Sequence, residues 1–136
     1  MKYWLLKTEP SVYSFNNLLS DGKTCWDGVT SNAGLKFIRS IQKGDFAFIY
    51  HTGNEKCITG ISEIVSNPYK DPKSDDERLV VFDIKPLKRL VKEITLTQIK
   101  SDKVFSDFAL VREGRLNVVP VSRELWNYIL KLSDTK

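Results

Sequence analysis

Two β-forming runs stand on either side of one polar tip, and they constrain the fold more than anything else in the chain. Phe46-Ala47-Phe48-Ile49-Tyr50-His51 comes first, Cys57 to Val65 second, and Thr52-Gly53-Asn54-Glu55-Lys56 joins them. A short glycine-containing polar tip between such runs predicts an antiparallel hairpin. Leu79 to Ile84 is a third β-branched and aromatic run, with no long helical pattern before it. Consecutive strands without alternating helices exclude a doubly wound sheet. Residues 2–6 (Lys-Tyr-Trp-Leu-Leu), 87–94 and 116–121 supply the other strands, with Pro86 limiting how far a central ladder runs between two of them. Ser14 is placed to cap a short helix ended by Asp21-Gly22, and Ser31 or Asn32 to cap another carrying Leu35, Phe37, Ile38 and Ile41. Thr95 to Lys100 reads as one helical turn. Ser122 caps a terminal helix with Leu125, Trp126, Ile129 and Leu130 on its apolar face. The expectation is an α+β fold, a mixed curved sheet or small β-barrel of about six strands flanked by short helices.

No linker or repeat divides the 136 residues, so they read as one domain, 1–136, long enough to bury a core without disulfides. Only Ser133 to Lys136 read as disordered. The apolar start, Tyr3-Trp4-Leu5-Leu6, is too short for a signal peptide, and no stretch reaches membrane-span length. A soluble, cytoplasmic protein with no membrane partner is expected. Cys25 and Cys57 lack zinc spacing and read as small reduced hydrophobes. The net charge of +4 permits a nucleic-acid partner without requiring one. Lys85, Lys88, Arg89, Lys92, Lys100 and Lys103 form a basic stretch after the acidic loop Asp71 to Glu77; it is either a solvated face or a phosphate-facing patch.

Catalytic patterns are absent. His51 is the single histidine, no serine sits in a G-x-S-x-G elbow, and no phosphate-binding glycine loop occurs. A hydrolase would need His51 beside a serine. A metal or cofactor site is not expected. The unusual segment is Thr24-Cys25-Trp26-Asp27-Gly28-Val29-Thr30, whose tryptophan fits neither an amphipathic helix nor an alternating strand. Trp26 is either a core plug, which composition favours, or a stacking wall for a flat ligand, with Gly28 allowing close backbone approach. In the second case Asp27, Thr30, Ser31 and Asn32 offer groups for a base edge. Tyr50-His51-Thr52 is a second cluster, with Tyr50 inward and His51 and Thr52 toward solvent.

Met1 to Ser14 and Gly22 to Val29, taken together, resemble the EVE domain family, a PUA-like group related to YTH and ASCH domains. The resemblance is carried by Met1-Lys2-Tyr3-Trp4-Leu5-Leu6-Lys7-Thr8-Glu9-Pro10-Ser11-Val12-Tyr13-Ser14 and by Gly22-Lys23-Thr24-Cys25-Trp26-Asp27-Gly28-Val29. Lys43-Gly44-Asp45, Ile49-Tyr50-His51, Gly60 to Val65, Pro68 to Pro72 and Leu110 to Val121 continue it. The resemblance implies a PUA-like barrel that holds a modified base, such as 5-methylcytosine, in an aromatic pocket without catalysis. It departs at positions 30–36, which read Thr-Ser-Asn-Ala-Gly-Leu-Lys where the common family form has Arg-Asn-Tyr-Gln-Ala-Arg-Asn. The implied mechanism flips a base of DNA or RNA onto Trp26. Ser11, Asp27, Thr30, Ser31 and Asn32 read its edge, Val29 meets a methyl group, and Tyr50 and Gly60 form the floor. Lys7, His51 and Arg112 stand at the rim or on phosphate, with Lys85, Lys88 and Arg89 as further phosphate candidates. The alternative is a small-molecule or protein-interaction module on the same barrel.

Overall fold

Alternating apolar residues in the first strand point to opposite sides of the sheet, and the fold covers both sides. The computed structural model describes residues Met1–Lys136. Strand β1 (Tyr3–Thr8) is central: it runs parallel to β3 (Phe46–His51) and antiparallel to β7 (Val118–Val121). A parallel pair needs a crossover. Here it is built from α1 (Phe15–Asp21), the short β2 (Thr24–Trp26) and α2 (Asn32–Ile38). The β1–β3 register sets Lys7 beside Tyr50 on one face and Thr8 beside His51 on the other. Those two pairs position everything that follows.

The expected hairpin joins β3 to β4 (Cys57–Ile64), and β4 pairs with β6 (Val80–Thr95). With β5 (Tyr69–Lys70) pairing β6 off the main path, the order is β2-β6-β4-β3-β1-β7. The end strands β2 and β7 do not pair, so the sheet is a curled, six-strand half-barrel with short helices. The helices beyond β6 are α3 (Leu96–Lys100), a 3-10 turn at Lys103–Phe105, α4 (Ala109–Arg112) and α5 (Arg123–Leu132). One face packs Leu5, Phe48 and Val119 under Ile99, Phe105 and Trp126, whose indole stacks on Phe48 with centroids 3.8 Å apart. The other packs Trp4, Leu6 and Ile49 under Phe15, Leu18, Leu35 and Ile38. Asp45 ties this second layer down. It is 2% exposed, and its carboxylate accepts from Lys2 N, Trp4 Nε1 and Gln42 N, each at 3.0 Å.

Three local expectations are corrected. Residues 79–84 and 87–94 are one strand, not two. Pro86 falls opposite Ser62, where β6 carries an extra residue, Leu87, between the partners of Ile61 and Ser62, and such a bulge tolerates a residue without an N–H. Thr24–Trp26 is a strand rather than a loop, because its partner β6 offers Phe82, Asp83 and Ile84 as an edge. The tail is ordered. Ser133 and Thr135 are buried; Lys92 N donates to Ser133 O and Val91 N to Thr135 Oγ1, both at 3.0 Å. These bonds satisfy part of the β6 edge that a disordered tail would leave open.

Candidate functional site

At the end of β1 the chain turns through Glu9 to Tyr13 and returns past β2, leaving a hollow of about 570 Å³. Thr8, Val12, Tyr13, Lys23, Thr24, Trp26 and Asp27 are among its lining residues, with Lys73 reaching in after β5. The volume is that of a small-molecule pocket. Local bonds fix its walls. Thr8 Oγ1 donates to Tyr13 O at 2.7 Å, and Tyr13 Oη donates to Asp21 Oδ2 at 2.8 Å. The Tyr13 and Trp26 rings meet almost at right angles, at 81° with centroids 6.4 Å apart. Trp26 is 7% exposed, so most of the indole is core and a small part forms wall. Its Nε1 has no partner in the chain, yet no buried polar side-chain atom is left unpaired; this donor is therefore open to solvent. The indole is thus chiefly a core plug with one edge at the hollow.

A second layer holds β2 in place. Tyr69 Oη donates to Asp83 Oδ1 at 2.6 Å and reaches Cys25 Sγ at 3.5 Å, while Lys23 Nζ stands 3.8 Å from Asp83 Oδ2. The Asp83 contact, then the one to Cys25, pushes the Tyr69 phenol above its ordinary range. Burial raises the Tyr13 phenol and the Cys25 thiol. Across the sheet Glu55, Cys57 and Glu93 bring their ligand atoms within 4.8 Å of one another. Metal ligation needs a thiolate. Burial first, then Glu93, pushes the Cys57 thiol from 9.0 to about 12, and it stands 3.6 Å from Glu93 Oε2 as a donor. Cys57 and Glu93 form a hydrogen-bonded brace between β4 and β6, and Glu55 is engaged with His51. A thiol reagent at pH 8 is expected to modify Cys57 only on unfolding and Cys25 slowly; fast labelling of Cys57 in the folded chain contradicts this. Stability carried by the protonated Cys57 is intact below about pH 9 and is lost as the pH rises through about 12.

The structure brings Trp26 and Asp27 to the hollow and takes the other candidates elsewhere. Gly28 follows them with φ 84°, the turn that carries the chain away from β2. Ser11 lies nearby but Oγ donates to Glu9 Oε1 at 3.1 Å. Val29 is buried against Gly34, whose added Cβ would stand 2.6 Å from Val29 Cγ1. Thr30 is exposed, Ser31 caps α2 by accepting from Gly34 N, and Asn32 Oδ1 accepts from Arg78 Nη1 at 2.8 Å. Tyr50 and Gly60 do not form the floor. Tyr50 faces the opposite side of the sheet, and Gly60 is covered by the Phe15 ring. His51 does not point to solvent. It is buried, its Nε2 accepts from Phe15 N at 3.0 Å, and its Nδ1 faces Glu55 Oε1 at 2.9 Å. With both nitrogens engaged, it has none free to activate a serine. Arg112 bonds Ser106 O and Asp107, Lys85 pairs with Glu63, and Arg89 lies 5.4 Å from the Phe15 ring centroid; none of these, nor Lys88, lines the hollow. Sequence reasoning missed Thr8, Val12, Tyr13, Lys23, Thr24 and Lys73. Tyr13 had a signal: an aromatic residue on a proline-led turn outside any helical face.

The fold is a curled half-barrel with a hollow, cornered by Tyr13 and Trp26, at the end of its central strand. The chain belongs to the EVE domain family, whose model matches residues 2–132. It is 28% identical over 168 aligned residues to mouse thymocyte nuclear protein 1, covering 98% of this chain and 74% of that protein. It superposes with TM-score 0.90 on human THYN1 in complex with 5-methylcytosine containing DNA, at 25% identity, covering 100% of this chain and 99% of that one. The YTH domain of Zygosaccharomyces rouxii MRB1 protein, in complex with N6-methyladenosine RNA, shares the fold alone, with TM-score 0.61 at 12% identity over 99% of this chain and 88% of that one. No helix is long and apolar enough to cross a membrane.

Proposed function

We propose that the chain binds a modified nucleobase, presented by a nucleic-acid strand, in the hollow cornered by Trp26 and Tyr13, and performs no chemistry on it. The observation that carries this reading is the pair of rings at 81° with an unpartnered indole N–H at the opening. A flat ligand that covers one ring meets the edge of the other. Asp27 suits an exocyclic amine, since a carboxylate accepts from it, while Thr8 and Thr24 offer hydroxyls. Val12 is 80% exposed and gives a methyl group an apolar neighbour. Lys23 and Lys73 bring positive charge to the opening, where a strand's phosphates pass. The complex of human THYN1 with 5-methylcytosine containing DNA supports the same ligand class here. The arginines and tyrosine of the common family form are absent from positions 30–36. In this chain Tyr13 supplies the second ring from the other side.

Unstacking a base costs a few kcal/mol, and an aromatic wall returns about 1–3 kcal/mol. Trp26→Ala is therefore expected to weaken binding of a 5-methylcytosine-containing single strand about 10- to 100-fold by calorimetry. Trp26→Phe, which keeps a ring and much of the core volume, should retain most of the affinity. Equal binding by Trp26→Ala and the parent chain would sink the reading. Affinity for the strand should also fall steeply with salt. Salt-independent binding of the free nucleoside alone assigns the hollow to a small molecule instead.

A further inference from the structure

A second cleft, of about 250 Å³, opens on the opposite face of β1. The β1–β3 register creates it: Thr8 faces the first hollow, and its neighbour Lys7 points to the other side of the sheet beside Tyr50. Three lysines line it: Lys7, Lys56 at the hairpin tip, and Lys100 on α3. The tip and α3 are joined directly, because Leu96 N donates to Lys56 O at 2.8 Å. None of the three lysines forms an ion pair, and no carboxylate lines the cleft. Lys7 Nζ uses one donor, on Gly114 O at 3.0 Å. Tyr50 is only 4% exposed, and its hydroxyl has no partner in the chain. Since no fully buried side-chain oxygen lacks a bond, that hydroxyl reaches the solvent of the cleft it lines. A tyrosine buried to this extent with a free hydroxyl is a donor aimed into the cavity. Asn117 adds an amide at the edge.

We propose that this cleft is a separate binding site for a phosphate group. Its charged groups are all cations; a phosphomonoester dianion or a diester anion offers only acceptors to them, and inorganic hydrogen phosphate adds a single hydroxyl to three acceptor oxygens. Neither the aromatic corner nor any residue of the first hollow takes part, so the site stands or falls independently of base binding. The phosphate can arrive as a free ion, as the end of a strand or as an internal linkage, and the chemistry of the cleft is the same for all three.

The test is a ¹H–¹⁵N titration of the full chain with inorganic phosphate at constant ionic strength, with chloride as the control. Saturable shifts confined to the amides of Gly53, Lys56, Gly114 and Asn117 are expected. The exposed pair K56Q/K100Q should weaken the saturation about tenfold or more. Tyr50→Phe should weaken it several-fold while the thermal midpoint holds. Short single strands with and without a 5′-phosphate then identify the source. Displacement of inorganic phosphate only by the phosphorylated strand indicates a terminal group, and displacement by both indicates an internal one. Displacement by neither leaves the free ion. No saturation with phosphate, or equal saturation in K56Q/K100Q, overturns the site.

Discussion

Asp45→Ala is expected to destabilise the fold by about 3–5 kcal/mol, measured as a lower urea or thermal midpoint. Asp45 ends the turn after α2, and its carboxylate gathers three donors that have no other acceptor: the Lys2 amide, the Trp4 indole N–H and the Gln42 amide. The Trp4 bond is buried. Removing the acceptor strands the buried indole N–H, at about 1–3 kcal/mol, and also takes a charge-assisted bond from each of the two part-buried amides. A domain with a total stability of about 5–15 kcal/mol is then close to its limit. Asp45→Asn keeps an acceptor oxygen and should recover part of the loss. A midpoint for Asp45→Ala equal to that of the parent chain means that the three bonds are not what joins β1 to the α2–β3 turn.

Gly60→Ala is expected to cost about 3 kcal/mol, at the upper end for overpacking a core. A Cβ at position 60 would meet three atoms of the Phe15 ring at 2.5–2.7 Å. The ring cannot simply retreat. Phe15 is fully buried, its amide donates to His51 Nε2, and Arg89 covers it. The diagnostic is a double-mutant cycle: Phe15→Leu shortens the obstructing side chain and should make Gly60→Ala less costly than in the parent background. Additive losses would show that the two positions do not collide. Because the Phe15 amide is bound to His51, the displacement should also be visible as a shifted His51 ring signal.

Local chemistry made much of the fold readable in advance. Ser14, Ser31 and Ser122 each accept from a backbone N–H at the start of a helix, which short hydroxyl side chains do wherever a helix begins. The hairpin around Gly53 and the helix carrying Trp126 are likewise set by nearby residues. What was not readable depends on distant partners. Thr24–Trp26 becomes a strand only because β6 passes beside it. Ser133 and Thr135 order only because β6 leaves two donors at its edge. Pro86 is tolerated beside an extra residue of its own strand, Leu87, and that bulge shows only once β6 is laid against β4. The candidate site divides in the same way. Trp26 and Asp27 stood out in the sequence as an odd segment, whereas Tyr13 joins them only through the right-angled contact of its turn with the end of β2. Tyr50 followed β-strand alternation as an inward residue, but which side counted as inward was settled by its parallel register with Lys7.

Two consecutive residues, Lys7 and Thr8, thus look into separate chambers. The lip between the chambers is short and acidic: Thr52 Oγ1 donates to Glu9 Oε2 at 3.4 Å, beside Gly53. Bending a duplex by about 40–90° within about 20–30 base pairs costs about 1–6 kcal/mol, a cost that a flexible single strand does not bear. A polymer that entered both chambers would do so at less cost as a single strand than as a stiff rod.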